Sequence, residues 1–409
     1  MRSLLFSTLA FILFTAPLCA MTLEEAADHA LKNNPELMAF RLETGVAQGQ
    51  RERAKLPLIF NPLIEGSVVK KGESSELGAR GFTDYGVKLS QEFEIAGQRG
   101  VRIDIAQKDI SRIDLEIKDR ERTLVNEVKN AFAKALAGKR REELTREAVR
   151  LKEDLLGFTR IKFQAGQVSG LEVNLAEVEV SKTKRELLLA VREYREARLS
   201  LQRLVGMRPV AAFSVQGELS ADLPGMPDRE SLKKLAAARR PDVKAASIEI
   251  ERTTSAQRLV NRLALPNITL AGFYDRDEER NSGGIALSFP IPFFDRKQAE
   301  KSEARARAEQ ARLNYTGLEK TIDKEVEVAY SDFSTASEEL SLFRQEILSK
   351  ATENLNLMNL AFKEGKIGFF DVRLAQKDTI DLQFAYLDAL LRARLALNAL
   401  ESISGGTLP

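Results

Sequence analysis

The chain is poor in the side chains on which most catalytic and metal sites depend. Its 409 residues include one histidine, one cysteine and no tryptophan, and aromatic residues make up 7%. Tight zinc or copper sites need several nitrogen or sulfur ligands, which His29 and Cys19 cannot supply alone. The sequence also lacks a nucleophile–base pattern and a phosphate-binding glycine loop. We therefore expect no enzyme activity, no catalytic residue, no metal site and no cofactor, and we interpret His29 as an ordinary surface or interface residue.

Two further absences narrow the class of protein. No run of about 18 or more apolar residues follows the first twenty, so the sequence predicts no transmembrane helix. The formal net charge is only +2 although 30% of the residues are charged, so we expect no nucleic-acid partner. High charge with few aromatic residues is typical of long helices that have solvated faces.

The first twenty residues have the pattern of a signal peptide. Arg2 precedes an apolar run at residues 4–16, which is too short to span a bilayer, and Ala20 is a small residue suited to cleavage. Cys19 would allow lipoprotein processing instead, but the preceding Leu18 is not the small residue that such signals use. If cleavage follows Ala20, the exported chain has no cysteine and needs no disulfide.

Two halves of the chain repeat each other. The segment that begins at Phe163 returns at Phe362, and its glycine recurs 365 − 166 = 199 positions later. Other landmarks recur in the same order: Glu127 as Glu325, Leu89 as Leu287, and Pro35 as Pro241. A unit of roughly 200 residues is far longer than the period of a solenoid repeat. We therefore expect two copies of one architecture.

Each half has the pattern of a helix, two strands, a very long helix, a tight turn and a second helix. Thr22 and Glu25 form a capping-box pattern before the first helix. The predicted helices are residues 23–56, 101–163 and 171–205 in the first half, and 229–265, 297–362 and 370–403 in the second. At about 1.5 Å per residue, the longest would measure roughly 90 Å. Apolar residues on residues 101–163 follow coiled-coil spacing.

The segments between the helices alternate apolar with polar residues. The predicted strands are residues 63–69, 85–95, 267–274 and 285–291, joined by polar loops at 70–82 and 275–284. Such alternation is typical of membrane β-barrel strands, but a half-buried sheet in a soluble protein shows the same pattern. Four strands cannot close a barrel, and open edges are too costly in lipid. Three chains would supply 3 × 4 = 12 strands, an even number in the usual range.

These patterns predict a mainly α protein with a small membrane β part. Duplicated long α-helical hairpins would form a periplasmic α-barrel, and four β-strands per chain would form a 12-stranded trimeric β-barrel. The predicted segments are a signal peptide (1–20), a first repeat (21–206, strands about 62–95, helical hairpin about 101–205), a linking equatorial region (207–228), a second repeat (229–404, strands about 267–293, helical hairpin about 297–403) and a C-terminal tail (405–409).

Several motifs carry a family resemblance. They are residues 34–37 (Asn-Pro-Glu-Leu), 89–91 (Leu-Ser-Gln) followed by 97–99 (Gly-Gln-Arg), 287–292 (Leu-Ser-Phe-Pro-Ile-Pro) followed by 295–296 (Asp-Arg), and the two turns that begin at Phe163 and Phe362. With these motifs the chain resembles the TolC family of outer-membrane efflux proteins over essentially all residues after the signal peptide. The strand exits at 97–99 and 294–296 look most like the heavy-metal branch, the CzcC-like proteins. The family's turn aromatic is often Tyr, so a hydrogen bond from that hydroxyl is absent here.

The resemblance implies a passive homotrimeric duct in outer-membrane lipid with a periplasmic extension. It would dock onto a periplasmic adaptor, or membrane fusion protein, and an inner-membrane pump of the resistance-nodulation-division type. Heavy-metal cations are one class of cargo that it suggests. The turns that would meet the adaptor contain Gly166, Gln167, Val168, Gly365, Lys366 and Ile367. The residues that would form the periplasmic gate or selectivity ring are Glu172, Asp371, Phe163 and Phe362.

Structural roles remain open for the same residues. Gly166 and Gly365 suit the positive φ of a helix C-cap, and Glu172 completes a capping box with Ser169. The sequence also fits a protein of a different class, a soluble periplasmic coiled-coil scaffold or adaptor with small docking hairpins. Alternation in the strands of both halves favours the duct.

The sequence generates a prediction about assembly. We expect the expressed protein to fractionate with outer membranes and to be extracted by detergent as a trimer with a 12-stranded anchor, because four amphipathic strands cannot close alone. Membrane fractionation followed by light scattering of the purified protein measures this. A well-behaved, detergent-free monomer in the periplasmic fraction would contradict it.

Overall fold

A computed structural model describes residues 20–72, 83–209, 213–226, 228–277, 280–343 and 345–406. The predicted signal peptide apart from Ala20, with Cys19 in it, lies outside the described residues. So do most of the predicted loop 70–82 and residues 407–409 of the predicted tail. Within the described residues, no helix combines the length and the apolar character needed to cross a bilayer.

The order of elements follows the duplicated pattern. The helices are α1 (Leu23–Asn33), α2 (Pro35–Arg41), α3 (Glu43–Lys55), α4 (Gln98–Gln164), α5 (Gly170–Leu204), α6 (Arg229–Arg239), α7 (Pro241–Leu263), α8 (Gln298–Leu342), α9 (Gln345–Lys363) and α10 (Phe369–Ile403). The strands are β1 (Ala20–Met21), β2 (Leu63–Lys70), β3 (Thr83–Phe93), β4 (Ser214–Val215), β5 (Ile268–Asp277) and β6 (Arg280–Ser288).

The chain separates into two compact units. The turn unit contains the described residues up to Met38, Glu121–Leu235 and those from Glu325 onward, and it holds both helix turns. The sheet unit contains Ala39–Arg120 and Ala236–Lys324, with the sheet of β2, β3, β5 and β6. Each unit takes residues from both predicted repeats. The spatial division therefore differs from the sequence division, and the repeat boundaries stay predictions.

Proline breaks the two helices that the sequence predicted as continuous before the strands. The first begins at its predicted capping box, in which the Thr22 N–H donates to Glu25 Oε2 at 2.8 Å. Each helix then breaks before a proline, Pro35 or Pro241, and the residue preceding it is extended, with ψ of 119° and 125°. Proline lacks a backbone N–H and disfavours the helical conformation of the residue before it.

The two copies of the long helix differ. The first copy is continuous as α4, as predicted, whereas the prediction of one helix over residues 297–362 was wrong because α8 ends at Leu342 and α9 begins at Gln345. Near this end, the Ser341 hydroxyl donates to the Glu338 carbonyl at 2.7 Å. Such bonds compete with helical hydrogen bonds and bend helices. The first copy has Glu143 at the matching position (341 − 198).

The sheet is antiparallel, in the order β2-β3-β5-β6, so β2 and β6 are edges. The predicted loop 275–284 is largely strand, because β5 continues to Asp277 and β6 begins at Arg280. The predicted strand 285–291 ends early at Ser288, because Pro290 and Pro292 cannot donate to a ladder.

The register places apolar residues of all these strands on one face. That face carries Ile64, Val68, Tyr85, Val87, Leu89, Phe93, Ile268, Leu270, Tyr274, Ile285 and Leu287. The opposite face is mostly polar, with Leu63, Val69 and Phe273 as apolar members, and it includes an ion pair between Glu65 and Lys88 at 2.8 Å. Most of the apolar side chains are exposed, including Ile285 at 80%. The alternation that the sequence predicted is therefore confirmed, and none of the residues that the structure describes covers most of the apolar face.

The core of the turn unit includes a segment that the sequence predicted as irregular. Within the linking region, β4 pairs in parallel with β1, and Phe213 and Val215 are fully buried. They pack with Leu37, Val128 and Leu201 from three helices. Burying each large apolar side chain stabilises the fold by about 1.5–3 kcal/mol. The short strand pair was missed because two residues are too few for a periodic signal.

The end of α5 docks closely against the junction of α1 and α2. Gly206 has a φ of 74°, and a Cβ built there would lie 2.2 Å from the Asn33 carbonyl oxygen. Around it, Asn34 Nδ2 donates to the Leu204 carbonyl at 2.9 Å, and His29 Nδ1 lies 2.7 Å from the Val205 carbonyl oxygen. His29 is thus a structural contact between two helices, as an interface residue would be.

We expect Gly206→Ala to lower the free energy of unfolding by about 1–3 kcal/mol, because alanine meets both a strained φ and a backbone clash. Thermal unfolding followed by circular dichroism measures the loss. Gly157→Ala is the control, since Gly157 lies inside α4 with open space around it, and it should be neutral or stabilising by up to about 1 kcal/mol. Equal midpoints for the two variants would contradict the prediction.

Candidate functional site: the paired helix turns

Both helix hairpins turn through the same backbone geometry. Gly166 and Gly365 have φ values of 70° and 78°. In the first turn, Gly166 N–H donates to Phe163 O at 2.9 Å and Gln167 N–H to Lys162 O at 2.8 Å, and the second turn repeats both bonds. This is the pattern of a Schellman motif, which needs a left-handed residue that glycine adopts without strain. The repeated glycine in the sequence therefore marks two equivalent helix ends.

The predicted gate carboxylates both cap helices. Glu172 Oε2 accepts from the Ser169 N–H at 2.7 Å and from the Ser169 hydroxyl at 3.1 Å. Asp371 Oδ2 accepts from the Gly368 N–H at 3.0 Å. Acids at these first turns also interact favourably with the helix dipole. The capping role that the sequence predicted for Glu172 is confirmed, and both carboxylates have oxygen atoms left over for other partners.

An apolar cluster joins the two turns of one chain. Phe362, Phe369 and Val372 from the second turn are buried together with Leu155 of α4 and Ala176 of α5. Ile367, in the middle of the second turn, packs against this cluster. The cluster therefore joins Phe362 and Ile367 of the second predicted turn to the helices that flank the first turn, and it contains none of the predicted site residues of the first turn.

The two predicted aromatics are not equivalent in this site. Phe362 is 2% exposed and Phe163 is 49% exposed, although they are repeat counterparts. The difference follows from a neighbouring position, where the first turn has Gly170 and the second has Phe369 (369 − 170 = 199). Phe369 packs with Phe362, whereas the Phe163 ring lies 3.6 Å from where a Gly170 Cβ would be.

Two lysines that sequence analysis missed connect the turns. Lys162 Nζ lies 5.0 Å from the centre of the Phe362 ring, and Lys363 Nζ lies 4.4 Å from that of Phe158. Each turn thus places an ammonium over an aromatic ring of the other, a contact that contributes about 0.5–1 kcal/mol at exposed sites. Lysine spacing gave no signal for them, because the contacts depend on which helices meet.

The residues predicted to meet an adaptor are accessible. Gly166, Gln167, Gly365 and Lys366 are exposed, and Val168 is partly exposed. A Cβ at Gly166 would have open space around it, and one at Gly365 would meet only Lys162 Nζ at 3.7 Å. These turns can therefore carry larger side chains without a clash, although their φ values disfavour them.

Three charged residues, Arg373, Glu179 and Lys152, lie farther along the hairpins from the turns. The Arg373 guanidinium on α10 donates to Glu179 of α5 at 3.1 Å. Burial lowers the pKa of the nearby Lys152 ammonium, whose side chain is almost enclosed. Within the described part of the chain, no cluster of His, Cys, Asp or Glu could hold a metal ion. The arrangement can position charge along a surface of the hairpins.

Comparison with known proteins identifies the class of fold. The structure superposes on the outer-membrane channel OprN with a TM-score of 0.77 at 17% identity, covering 94% of this chain and 90% of that one. The family profile for outer membrane efflux proteins matches residues 26–207 and 232–406, nearly the bounds of the two predicted repeats. The chain belongs to the outer membrane efflux protein family.

Two relatives illustrate the family. The cobalt-zinc-cadmium resistance protein CzcC of Cupriavidus metallidurans is 24% identical over 387 residues, which are 94% of this chain and 90% of CzcC. The pyoverdine export outer membrane protein OpmQ of Pseudomonas aeruginosa is 23% identical over 397 residues, 92% of this chain and 82% of OpmQ. The implied TolC-family membership is confirmed. This chain is an outer-membrane efflux protein and not an enzyme, and the scaffold alternative is wrong.

We expect Phe362→Ala to destabilise the turns by about 3–4 kcal/mol and Phe163→Ala by about 1 kcal/mol, because only the first side chain is fully enclosed. Hydrogen–deuterium exchange of the ends of α4 and α9 measures the local loss. The two variants serve as each other's controls, since they remove the same atoms from matching positions. Equal acceleration of exchange in both would contradict the asymmetry.

Proposed function

We propose that this protein is the outer-membrane duct of a tripartite efflux system and works as a homotrimer. The observation that carries the proposal is the four-stranded sheet, which has an apolar face and two unpaired edges. In a bilayer, every backbone N–H and C=O needs a partner. Pairing β6 of one chain with β2 of the next, three times around, supplies those partners and gives a 12-stranded barrel.

The two faces of the sheet fit the two environments of such a barrel. The face with Val87, Tyr274 and Ile285 would contact lipid. The face with the Glu65–Lys88 ion pair would line the lumen, where water solvates charge. The helices would extend into the periplasm. The apolar residues exposed on them in a single chain, such as Leu171, Leu357 and Leu374, would pack between neighbouring chains.

The partners that the family resemblance implies are a periplasmic adaptor and an inner-membrane pump of the resistance-nodulation-division type. We assign the adaptor contact to Gly166, Gln167 and Val168 of the first turn and to Gly365, Lys366 and Ile367 of the second. Exposure of most of these residues supports the assignment. The close approach of a partner backbone would also suit glycine, which presents no side chain.

We propose heavy-metal cations as the cargo. The name of CzcC, a cobalt-zinc-cadmium resistance protein that matches nearly the whole chain, supports this. The name of OpmQ, a pyoverdine export protein, supports an organic cargo as the second candidate. A passive conduit needs no tight metal site, because tight binding would slow release.

Deleting this protein from its host should raise retained cobalt, zinc or cadmium severalfold after a metal pulse, because export loses its outer-membrane step. Inductively coupled plasma mass spectrometry of washed cells measures the retained metal.

Re-expression of the wild-type protein should restore export. A double variant with Gly166→Arg and Gly365→Arg should not restore it, although its trimer forms. Asn at both positions is the matched control, since Asn tolerates a positive φ. Unchanged metal retention would exclude the metal cargo, and loss of the Arg trimers would make the glycines purely structural.

The carboxylates Glu172 and Asp371 would give 3 × 2 = 6 acidic groups near the periplasmic entrance of a trimer. Such rings attract cations and disfavour anions. We assign the entrance to these residues, with the exposed Phe163 beside them and the buried Phe362 as support.

The double variant Glu172→Gln with Asp371→Asn should reduce the cation preference of single trimers in planar bilayers, while the amide oxygens still cap the helices. Unchanged cation preference and unchanged block by multivalent cations would leave only the capping role.

A further inference from the structure

The sheet unit contains a cleft lined by arginines, and some of their N–H groups have no hydrogen-bond acceptor among the described residues. The cleft has a volume of about 410 Å³ and lies between α3, α4 and α7. Arg53, Arg102 and Arg252 line it together with apolar Ile59, Ile105 and Leu259. We name it the arginine cleft.

Arg102 is the main evidence for a ligand, because two of its three guanidinium nitrogens are buried without a hydrogen-bond acceptor among the described residues. Its side chain is 15% exposed, and Nη1 forms an ion pair with Glu94. Its Nε and Nη2 are buried and have no hydrogen-bond partner in the described part of the chain. Leaving a buried donor without an acceptor costs about 1–3 kcal/mol, and more for a charged group. An anion in the cleft would remove this cost.

The other two arginines differ in how much of their charge is available. Both guanidinium nitrogens of Arg252 that face Glu249 donate to its carboxylate at 2.7 Å. Arg53 is exposed, and no described residue forms an ion pair with it. Asp109, the acid in the lining, accepts from Arg112 at 2.8 Å. Among the described residues, the cleft therefore offers the charge of Arg53, which has no ion-pair partner, and the two unpaired N–H donors of Arg102, whose charge is already paired with Glu94.

The position of the cleft identifies the kind of anion. Ile59 lies just before β2, and Glu94 directly follows β3, so the cleft is at the end of the sheet where these strands meet the helices. Leu56, Leu58 and Phe60 beside it are exposed at 46%, 41% and 41%. If the strands span the outer membrane, this end lies at its periplasmic surface, where phosphate head groups adjoin acyl chains.

We propose that the arginine cleft binds the phosphate head group of an anionic phospholipid of the inner leaflet, one per chain. Guanidinium N–H groups of Arg53 and Arg102 donate to phosphate oxygens, a geometry for which Arg is well suited. The apolar lining contacts the start of the acyl chains. This inference rests on the proposed membrane barrel.

The duplication argues against a purely architectural role. The counterparts of Arg102 and Glu94 in the second half are Glu300 and Pro292 (300 − 102 = 292 − 94 = 198). The charge is reversed at one position and absent at the other, while the helices are conserved as α4 and α8. The fold of a repeat thus forms without an Arg102–Glu94 ion pair, so the presence of this pair in one half needs another reason.

Native mass spectrometry of the full-length detergent-solubilised trimer tests the proposal. The protein is mixed with phosphatidylglycerol or with zwitterionic phosphatidylcholine. We expect wild type to retain about three phosphatidylglycerol molecules per trimer and to prefer it about tenfold, which corresponds to one or two charge-assisted hydrogen bonds. Equal retention of the two lipids, or a trimer that holds none, would overturn the proposal.

Two variants and one control assign the binding to the cleft. Arg102→Gln and Arg53→Gln should each lower phosphatidylglycerol retention about tenfold. Arg53→Gln breaks no ion pair or side-chain hydrogen bond with a described residue, and so remains informative if Arg102→Gln weakens the trimer. Arg305→Gln removes the same charge from an exposed site on α8 and should change nothing. Retention that is insensitive to both cleft variants would overturn the proposal.

A competition experiment distinguishes binding of a lipid head group from binding of free inorganic phosphate. Millimolar inorganic phosphate should neither displace phosphatidylglycerol nor raise the thermal midpoint of wild type above that of Arg53→Gln. If it does both, the cleft is a free-anion site and the lipid assignment fails. Absence of trimers from the membrane fraction would instead refute the proposed duct. The two failures are therefore distinguishable.

Discussion

The constraint on which this structure depends is the demand of β-strand edges for hydrogen-bond partners. In hydrocarbon, a backbone N–H or C=O without a partner costs several kcal/mol, so a sheet must close. Here β2 and β6 each have a neighbour on one side only. One face of the described sheet is mainly apolar and the other is mostly polar, so neither burial nor solvation suits both faces in a single copy.

Duplication supplied two copies of each part, and the copies have diverged in what they contact. Phe362 is enclosed by Phe369, whereas Phe163 lies over a glycine and stays half exposed. Arg102 ion-pairs with Glu94, a pair that the second copy cannot form. The turns themselves remain identical, since both depend on a glycine with positive φ. Backbone geometry therefore has been kept in both copies, while side-chain chemistry has become specific to one.

The sequence predicted what local periodicity and turn chemistry determine. It predicted α4, α5 and α10, all the strands of the open sheet and the glycine turns. It failed where a proline changes the backbone, as at Pro35 and Pro290, because a single residue barely alters a periodic pattern. It also missed Lys162 over Phe362 and the unpaired donors of Arg102. Those contacts depend on which helices meet in space, and spacing along one helix carries no information about that.

The pairing of β1 with β4 has a consequence for the order in which the chain folds. Met21 is a core residue, and its strand partner Val215 lies 215 − 21 = 194 positions later. Met21 is synthesised early, and its strand pairing cannot form until the segment that holds Val215 has also been synthesised. Contacts of such long separation form slowly, and the segments waiting for them are prone to misassociate. Met21 and its strand are therefore among the last parts of the first half of the chain to reach their native contacts.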